Sequence, residues 1–359
     1  MTFRTAICLV LIFILGCSQK SEQKVEYDLE FELSEVLVLE PQNPMTLGRS
    51  MGITPVAPDQ SRFLVKNHNN SYVNVFSRDG DHLHHFGEPG RGPEEIDRIF
   101  MSGFDDELNV LIWDAGQDLL KFFDSNGDFI RADEAFISRG IWSRENLLHF
   151  TGSGWILPVE IPGAQAWDDR ESVALFNDDF SEQTIGGGWD PFYKESATIL
   201  QHPLITYDRE SNHTWIVHRT SPSIRVIDHS LNEVHKISHH SPNFLQADQD
   251  ILMEFSVEER QQALSRTSLL MQPYLTDRYF IHYFINQTEE VFQTLDSSDA
   301  GLFVAVYDRF TYEYLGEIEI PGVLTGVIDN QLMVLLDEDP DNFTIGLYEI
   351  QAEDRLASQ

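Results

Sequence analysis

Cysteine is almost missing from this 359-residue chain: Cys8 and Cys17 are the only two. That excludes a disulfide framework and a thiolate metal site. Lysine is also scarce and stands only at Lys20, Lys24, Lys66, Lys121, Lys194 and Lys236. Against 59 acidic residues there are 24 basic ones, giving a formal net charge of −35. Such a surface repels polyanions, so nucleic acid is excluded as a partner, as is adhesion to anionic lipid through a basic patch. Long apolar runs are lacking too. The one continuous stretch, Ala6 to Leu15, is about half of the roughly 20 residues that a spanning helix needs. No nucleophile elbow and no Cys-x-x-Cys pair appears, which removes two common starting points for covalent and metal chemistry.

What the sequence does contain begins with that apolar stretch. Arg4 precedes it, Gly16 and Cys17 end it, and Ser18, Gln19 and Lys20 turn the chain polar, the pattern of a secretion signal. Ile14-Leu15-Gly16-Cys17 resembles the bacterial lipobox, in which the cysteine is acylated and becomes the mature N-terminus. The resemblance implies a signal peptide over residues 1–16, a lipidated tether over 17–28 and a folded body over 29–359. More than one acyl chain gives durable anchoring, so the expected location is the cell envelope, with a membrane held through the N-terminal lipid on Cys17. Ser18 after that cysteine favours the outer membrane over the inner one.

The folded body is repetitive. Tyr72-Val73-Asn74-Val75-Phe76 leads into Arg78-Asp79-Gly80, and Leu120-Lys121-Phe122-Phe123-Asp124 leads into Ser125-Asn126-Gly127. Alternating apolar residues followed by such turns are hairpins. Weaker copies lie at Val173 to Asn177, Ile224 to Asp228 and Phe303 to Asp308. Phe76, Phe123, Phe176, Ile227 and Tyr307 occupy matching positions, about 50 residues apart until the last, longer step, and that period marks propeller blades. The expected fold is all-β: a six-bladed β-propeller of four-stranded antiparallel blades. Five units are expected near residues 50–87, 98–135, 145–187, 199–239 and 267–320. The sixth has only three strands, Leu324 to Ile328, Leu332 to Leu336 and Thr344 to Ile350. The N-terminal segment Phe31 to Leu39 is expected to supply the fourth, which closes the ring and leaves no open edge. One helical insertion is expected near 247–266, where Ser256 and Glu259 form a capping box.

Asp114 to Gly127 resembles the core of an NHL-type propeller repeat, and Phe86-Gly87-Glu88-Pro89-Gly90-Arg91-Gly92-Pro93-Glu94-Glu95-Ile96 resembles the glycine-rich link between such blades. With the lipobox, the whole chain resembles the six-bladed propeller lipoproteins of Bacteroidetes-like bacteria. The link's glycines and prolines suit a fixed turn, and without a following lysine-serine pair and helix it is not a phosphate loop. Asp124 to Asp128 has its glycine too early for a calcium loop and Ala135 where a glutamate belongs, so a hairpin turn is expected. Thirteen histidines raise the question of a metal. His84-His85 and His239-His240 point to opposite faces of a strand, so no metal site is expected there, and no cofactor or catalytic residue is assigned. The expected function is a non-catalytic propeller that binds a protein, a glycan or a small molecule. The alternative is a channel-centred hydrolase or lyase, calcium-dependent and lactonase-like, as the blade number allows. Loops on a rigid scaffold commonly carry function. The candidate binding face is therefore that of the links and second-to-third-strand loops: Arg91, Glu94, Asp114, Arg139, Trp142, Trp189, Tyr193 and Arg219.

Overall fold

A computed structural model describes residues 27–41, 54–67, 71–135, 147–159, 170–193, 202–238, 241–247, 256–287, 300–339 and 342–354. The lipobox, residues 17–26, Arg139, Trp142 and His239-His240 lie outside the described residues. Strand β1 (Tyr27–Leu39) opens the chain. Blade one has a short inner segment bridged at Val56 to Phe63, then β2 (Arg62–Asn67), β3 (Tyr72–Ser77) and β4 (His82–Phe86). Blade two is β5 (Ile99–Phe104), β6 (Val110–Asp114), β7 (Leu119–Phe123) and β8 (Phe129–Glu134). Blade three is β9 (His149–Phe150), β10 (Gly154–Pro158), β11 (Val173–Asn177) and β12 (Gln183–Gly186). Blade four is β13 (Pro203–Asp208), β14 (His213–His218), β15 (Ser223–Ile227) and β16 (Glu233–Ser238). Blade five divides its inner strand into β17 (Ser268–Leu270) and β18 (Tyr274–Leu275), both paired with β19 (Tyr279–Asn286), and continues with β20 (Gly301–Asp308) and β21 (Tyr314–Glu319). Blade six is β22 (Val323–Ile328), β23 (Gln331–Asp339) and β24 (Asn342–Asp354), completed by β1 in the order β1-β24-β23-β22. The protein is thus an all-β, six-bladed propeller of antiparallel four-stranded blades.

Apolar side chains sit between blades, one cluster to each interface. Trp113 of blade two meets Trp155 of blade three, Ile156 of blade three meets Ile216 of blade four, and Trp215 of blade four stacks on Phe280 of blade five at 4.3 Å between ring centroids. Blades five and six, six and one, and one and two have equivalent clusters. This explains why β6 is buried at every residue while the outer β16 is exposed at most. A blade between two others needs apolar residues on both faces, as a doubly covered sheet does. Hydrogen bonds join the inner strands around the axis: Thr54 N–H to Thr325 O at 2.9 Å, Leu148 N–H to Ser102 O at 3.0 Å and Tyr274 OH to Thr325 O at 2.9 Å. Gly103 lets β5 approach that ring, since a Cβ there would lie 2.2 Å from Leu148 O.

The closing pairing runs from Tyr27 opposite Asp354 to Leu39 opposite Phe343. It keeps the expected end at Leu39 but begins earlier than Phe31 on β1, and it extends beyond Thr344 to Ile350 at both ends of β24. Tyr27 and Asp28 therefore belong to the folded body rather than to the tether. Helix α1 (Val257–Leu264) lies within the expected insertion, and its capping box is formed: Glu259 N–H donates to Ser256 Oγ at 3.1 Å and Ser256 N–H to Glu259 Oε2 at 3.3 Å. No helix among the described residues is long and apolar enough to cross a membrane.

Asp114 and Lys121 lock a link in place. Asp114, fully buried, accepts from Asp97 N–H and Arg98 N–H at 3.0 Å each and pairs with the equally buried Lys121 at 3.1 Å. Lys121 in turn donates to the link carbonyls of Gly92, at 3.4 Å, and Glu95. Burial opposes ionisation of Asp114, but these donors outweigh it and hold its carboxyl below the usual range. Arg225, the matching residue of blade four, reaches Gly188 O at 3.0 Å and Gly187 O at 2.5 Å in the preceding link. Asp124 to Asp128 is the expected hairpin turn, with Gly127 N–H on Asp124 O at 2.9 Å.

Two outcomes follow from this construction. A chain lacking residues 27–39 should lose cooperative unfolding in urea, and Leu37→Ala, emptying the cluster between blades six and one, should cost about 2–5 kcal/mol; an unchanged midpoint would show that closure is not required. Asp114→Asn, which leaves Lys121 buried without its counter-ion, should cost about 3–5 kcal/mol. Because the folded carboxyl titrates below its unfolded value, this stabilisation is complete above the unfolded pKa and is lost as pH falls toward the folded one. The stability difference between wild type and variant should therefore stay constant from about pH 7 to 5 and shrink below about pH 4.

Candidate functional site

The antiparallel blades give the disc two faces. The link face carries the interblade links and the second-to-third-strand loops; the opposite, turn face carries the first-to-second and third-to-fourth turns. The described candidates from the sequence, Arg91, Glu94, Asp114, Trp189, Tyr193 and Arg219, belong to links and second-to-third-strand loops, and they divide sharply. Arg91 is 76 % exposed and pairs with Asp97 at 3.0 Å, and Glu94 is exposed beside it. Arg219 is half-buried, with Nη1 3.6 Å from Met271 Sδ. Asp114, Trp189 and Tyr193 are interior residues, contrary to the expectation of an accessible face. Asp114 is consumed by the Lys121 lock. Trp189 packs with Tyr193 and Ala247 and meets His218 edge-on at 5.0 Å. Tyr193 OH shares a hydrogen bond with Thr220 Oγ1 at 2.8 Å and accepts Thr220 N–H at 3.1 Å. These rings hold one link against the next, which is why large aromatics occur in loops here.

Histidine placement follows strand geometry with one exception. His84 and His85 pair with Val75 and Asn74 on successive positions of β4, but a bulge next to His82 brings His82 and His85 onto one face, their rings 6.2 Å apart. His235 lies on strand β16 and stacks on Tyr312 at 4.1 Å. Among the described residues, no three His, Cys, Asp or Glu side chains come together to hold a metal ion.

Sequence reasoning missed the concave feature on the axis. At the turn face the inner strands surround two contiguous hollows of about 210 and 400 Å³, which share Pro58, Gln60, Tyr207, Arg209, Leu275 and Val327. Every turn of this face is among the described residues. Apart from Arg209, the inner hollow is walled by neutral groups, among them Thr54, Phe104, His149, Thr206 and Tyr274. His149 is half-buried on this wall, and desolvation by the surrounding protein pushes its pKa down to about 4. The ring is therefore neutral near pH 7. Its Nε2 lies 3.2 Å from Ile205 O; a carbonyl only accepts, so Nε2 carries the proton and Nδ1 is left as an acceptor.

Charges gather at the outer rim, and most of them are held in ion pairs. Arg309, 8 % exposed, donates from Nε to Asp208 Oδ2 at 2.7 Å and lies 3.1 Å from Glu210. Burial disfavours the charged form of Asp208, but Arg309 and Ser211 more than compensate and hold its pKa low. Arg209 pairs with Asp106 and donates to Phe150 O at 2.9 Å, Arg78 pairs with Asp329, and Asn330 Nδ2 donates to Asp277 at 2.8 Å. No local motif marks this site, because its residues are contributed blade by blade at separations of tens of residues.

No protein-family profile and no curated protein matches the chain. Similar folds occur among solved structures. A member of the duf4221 family from Bacteroides vulgatus superposes with a TM-score of 0.71 at 14% identity, over 92% of this chain and 100% of that one. A putative exported protein from Bacteroides fragilis superposes with a TM-score of 0.60 at 13% identity, over 89% of this chain and 95% of that one. At such identities the likeness is one of fold: this chain shares the six-bladed propeller of these Bacteroides proteins.

Proposed function

We propose that the protein is a lipid-anchored, non-catalytic binding propeller of the bacterial cell envelope, of the NHL-like type. The observation that carries the binding reading is the axial hollow: a concave site built from inner strands of the whole ring, with hydroxyl, amide, imidazole and apolar groups and Arg209 on its inner wall and Asp208, Glu210, Asp277, Arg309 and Asp329 at its outer rim. A concave site on which a few polar groups converge is a usual place for a ligand. Catalysis by a propeller of the lactonase type needs ligands that converge on a metal; the carboxylates at the outer hollow, Asp208, Glu210, Asp277 and Asp329, do not come together to hold a metal ion among the described residues.

The anchor reading rests on Ile14-Leu15-Gly16-Cys17 and on the short polar stretch before Tyr27. Nine residues lie between Cys17 and Tyr27, the first residue of β1, and a flexible chain of that length would span roughly 15–18 Å. β1 enters blade six from the turn face, so the lipid would hold that face near the membrane. A putative exported protein among the structural neighbours agrees with export, and outer-membrane placement follows from Ser18.

Mass spectrometry of the mature N-terminus in its native host is expected to find an acylated peptide beginning at Cys17. Cys17→Ser should move the protein from the membrane fraction to the soluble one. An unmodified N-terminus elsewhere in the chain would overturn the anchor.

A further inference from the structure

We propose that β1, the outer strand of blade six, is a docking edge for an extended segment of a partner protein in which apolar and basic residues alternate. The surface is separate from the axial hollow. Ring closure covers the edge of β24, but β1 then becomes the outermost strand, in the order β1-β24-β23-β22. From Leu29 to Leu39 no further backbone hydrogen bond joins it to a described residue. Outer strands are commonly protected by being short, and β4, β8, β12, β16 and β21 hold five, six, four, six and six residues. β1 holds 13.

This long edge is also apolar on one face. Leu33, Val36 and Val38 are 50 %, 48 % and 49 % exposed, and Leu336 of β23 is 37 % exposed. Among the described residues, the other outer strands expose no more than one large apolar side chain each: Leu83, Ile130 and Val234. Leu33 stands opposite Tyr348 and Val36 opposite Gly346, and directly opposite residues share a face. A Cβ on Gly346 would lie 2.6 Å from the Tyr348 ring, 3.0 Å from Leu336 Cδ1 and 3.1 Å from Leu33 Cδ1, so these three side chains close over the glycine as one surface. Residues three apart on a regular strand point to opposite faces. The bulge at Ser34 returns Val36 and Val38 to the face of Leu33, so the aliphatic row continues across it. Strand β21 of blade five packs on Leu29 and Phe31 and leaves the rest of the row uncovered.

Charge selects the occupant. On the other face of the strand Glu32 stands directly opposite Glu349, with Glu30 beside it, and all three are exposed. Like charges directly opposite destabilise a strand pair, and lysine or arginine brought alongside relieves them. A second copy of this chain would instead bring the same glutamates and another net charge of −35. Strand addition takes its affinity from main-chain hydrogen bonds and its specificity from alternate side chains. The partner backbone therefore pairs along Leu29 to Leu33. Its basic residues lie beside Glu30 and Glu32, and its apolar ones lie beside Phe31 and Leu33 and continue over Val36 and Val38.

Fluorescence anisotropy on the purified full chain tests this with a labelled peptide of alternating lysine and valine, about 10 residues long to match the strand. Three controls separate the contributions: a lysine–serine peptide of equal charge, a glutamate–valine peptide, and the lysine–valine peptide with alternate backbone nitrogens methylated. The lysine–valine peptide is expected to bind, and each control to bind at least about tenfold more weakly. Val36→Ser with Val38→Ser should weaken binding about tenfold, and Glu30→Gln with Glu32→Gln about threefold. Leu83→Ser, on the outer strand of blade one, should change nothing. Absence of binding, equal binding of the lysine–serine or methylated peptide, or binding undiminished in the double valine variant would overturn the proposal. If that variant fails to fold, the peptide controls on the unaltered chain still decide. A dimer in sedimentation that the valine substitutions abolish would overturn the basic partner and assign the surface to a second copy.

Discussion

Everything in this molecule depends on a ring that closes. Each blade has two apolar faces, and neither is stable in water unless another blade covers it. The cluster between blades six and one contains Leu37 and Leu39 from the N-terminal strand, Ile345 and Leu347 from the C-terminal one, and Phe63 and Phe76 from the first blade. The ends of the chain and its first hairpin thus meet in one core, so the last interface forms only when β1 pairs with β24. That pairing also removes the edge that β24 would otherwise present to solvent or to another chain.

Closure makes demands on the turns. Third-to-fourth turns need a residue with positive φ, supplied by Gly80 and Gly127 in blades one and two. Blades three, four and five place Phe180, Leu231 and Tyr312 there at φ of 56°, 63° and 62°. A non-glycine in this conformation costs about 1–2 kcal/mol, and burial compensates: Phe180 is fully buried between blades two and three, Leu231 packs between three and four, and Tyr312 lies on Trp215. These copies of the repeat look weak in sequence because a packed side chain has replaced the glycine that would mark the turn.

Charge is handled with the same economy. The few buried cations of the ring are spent inside it: Lys121 and Arg225 on link carbonyls, Arg309 on Asp208 across two blades. The strongly acidic composition reaches the mouth of the axial hollow, where Asp208, Glu210, Asp277 and Asp329 stand beside Arg209 and Arg309. The link face uses Trp189 and Tyr193 to hold links together, whereas the concave feature of the disc opens on the turn face.

The period of the hairpins, the three-stranded remainder near the C-terminus and the Ser256–Glu259 cap were all legible in the residues themselves, because each is a local pattern of alternation, turn chemistry or capping. Closure followed by elimination, since an incomplete blade and an unassigned N-terminal strand have one economical solution. Exposure was not legible. Nothing local distinguishes Arg91, which reaches solvent, from Asp114, which a lysine seven residues later draws into the interior. Nor does any local signal join Thr54, His149, Thr206 and Val327, which lie on four blades. The sequence by itself determined the strands, their pairing and the number of blades, through short-range periodicity. Only the tertiary structure decided which polar groups are consumed by packing and which are left facing the axis, because that depends on what lies opposite once the ring has closed.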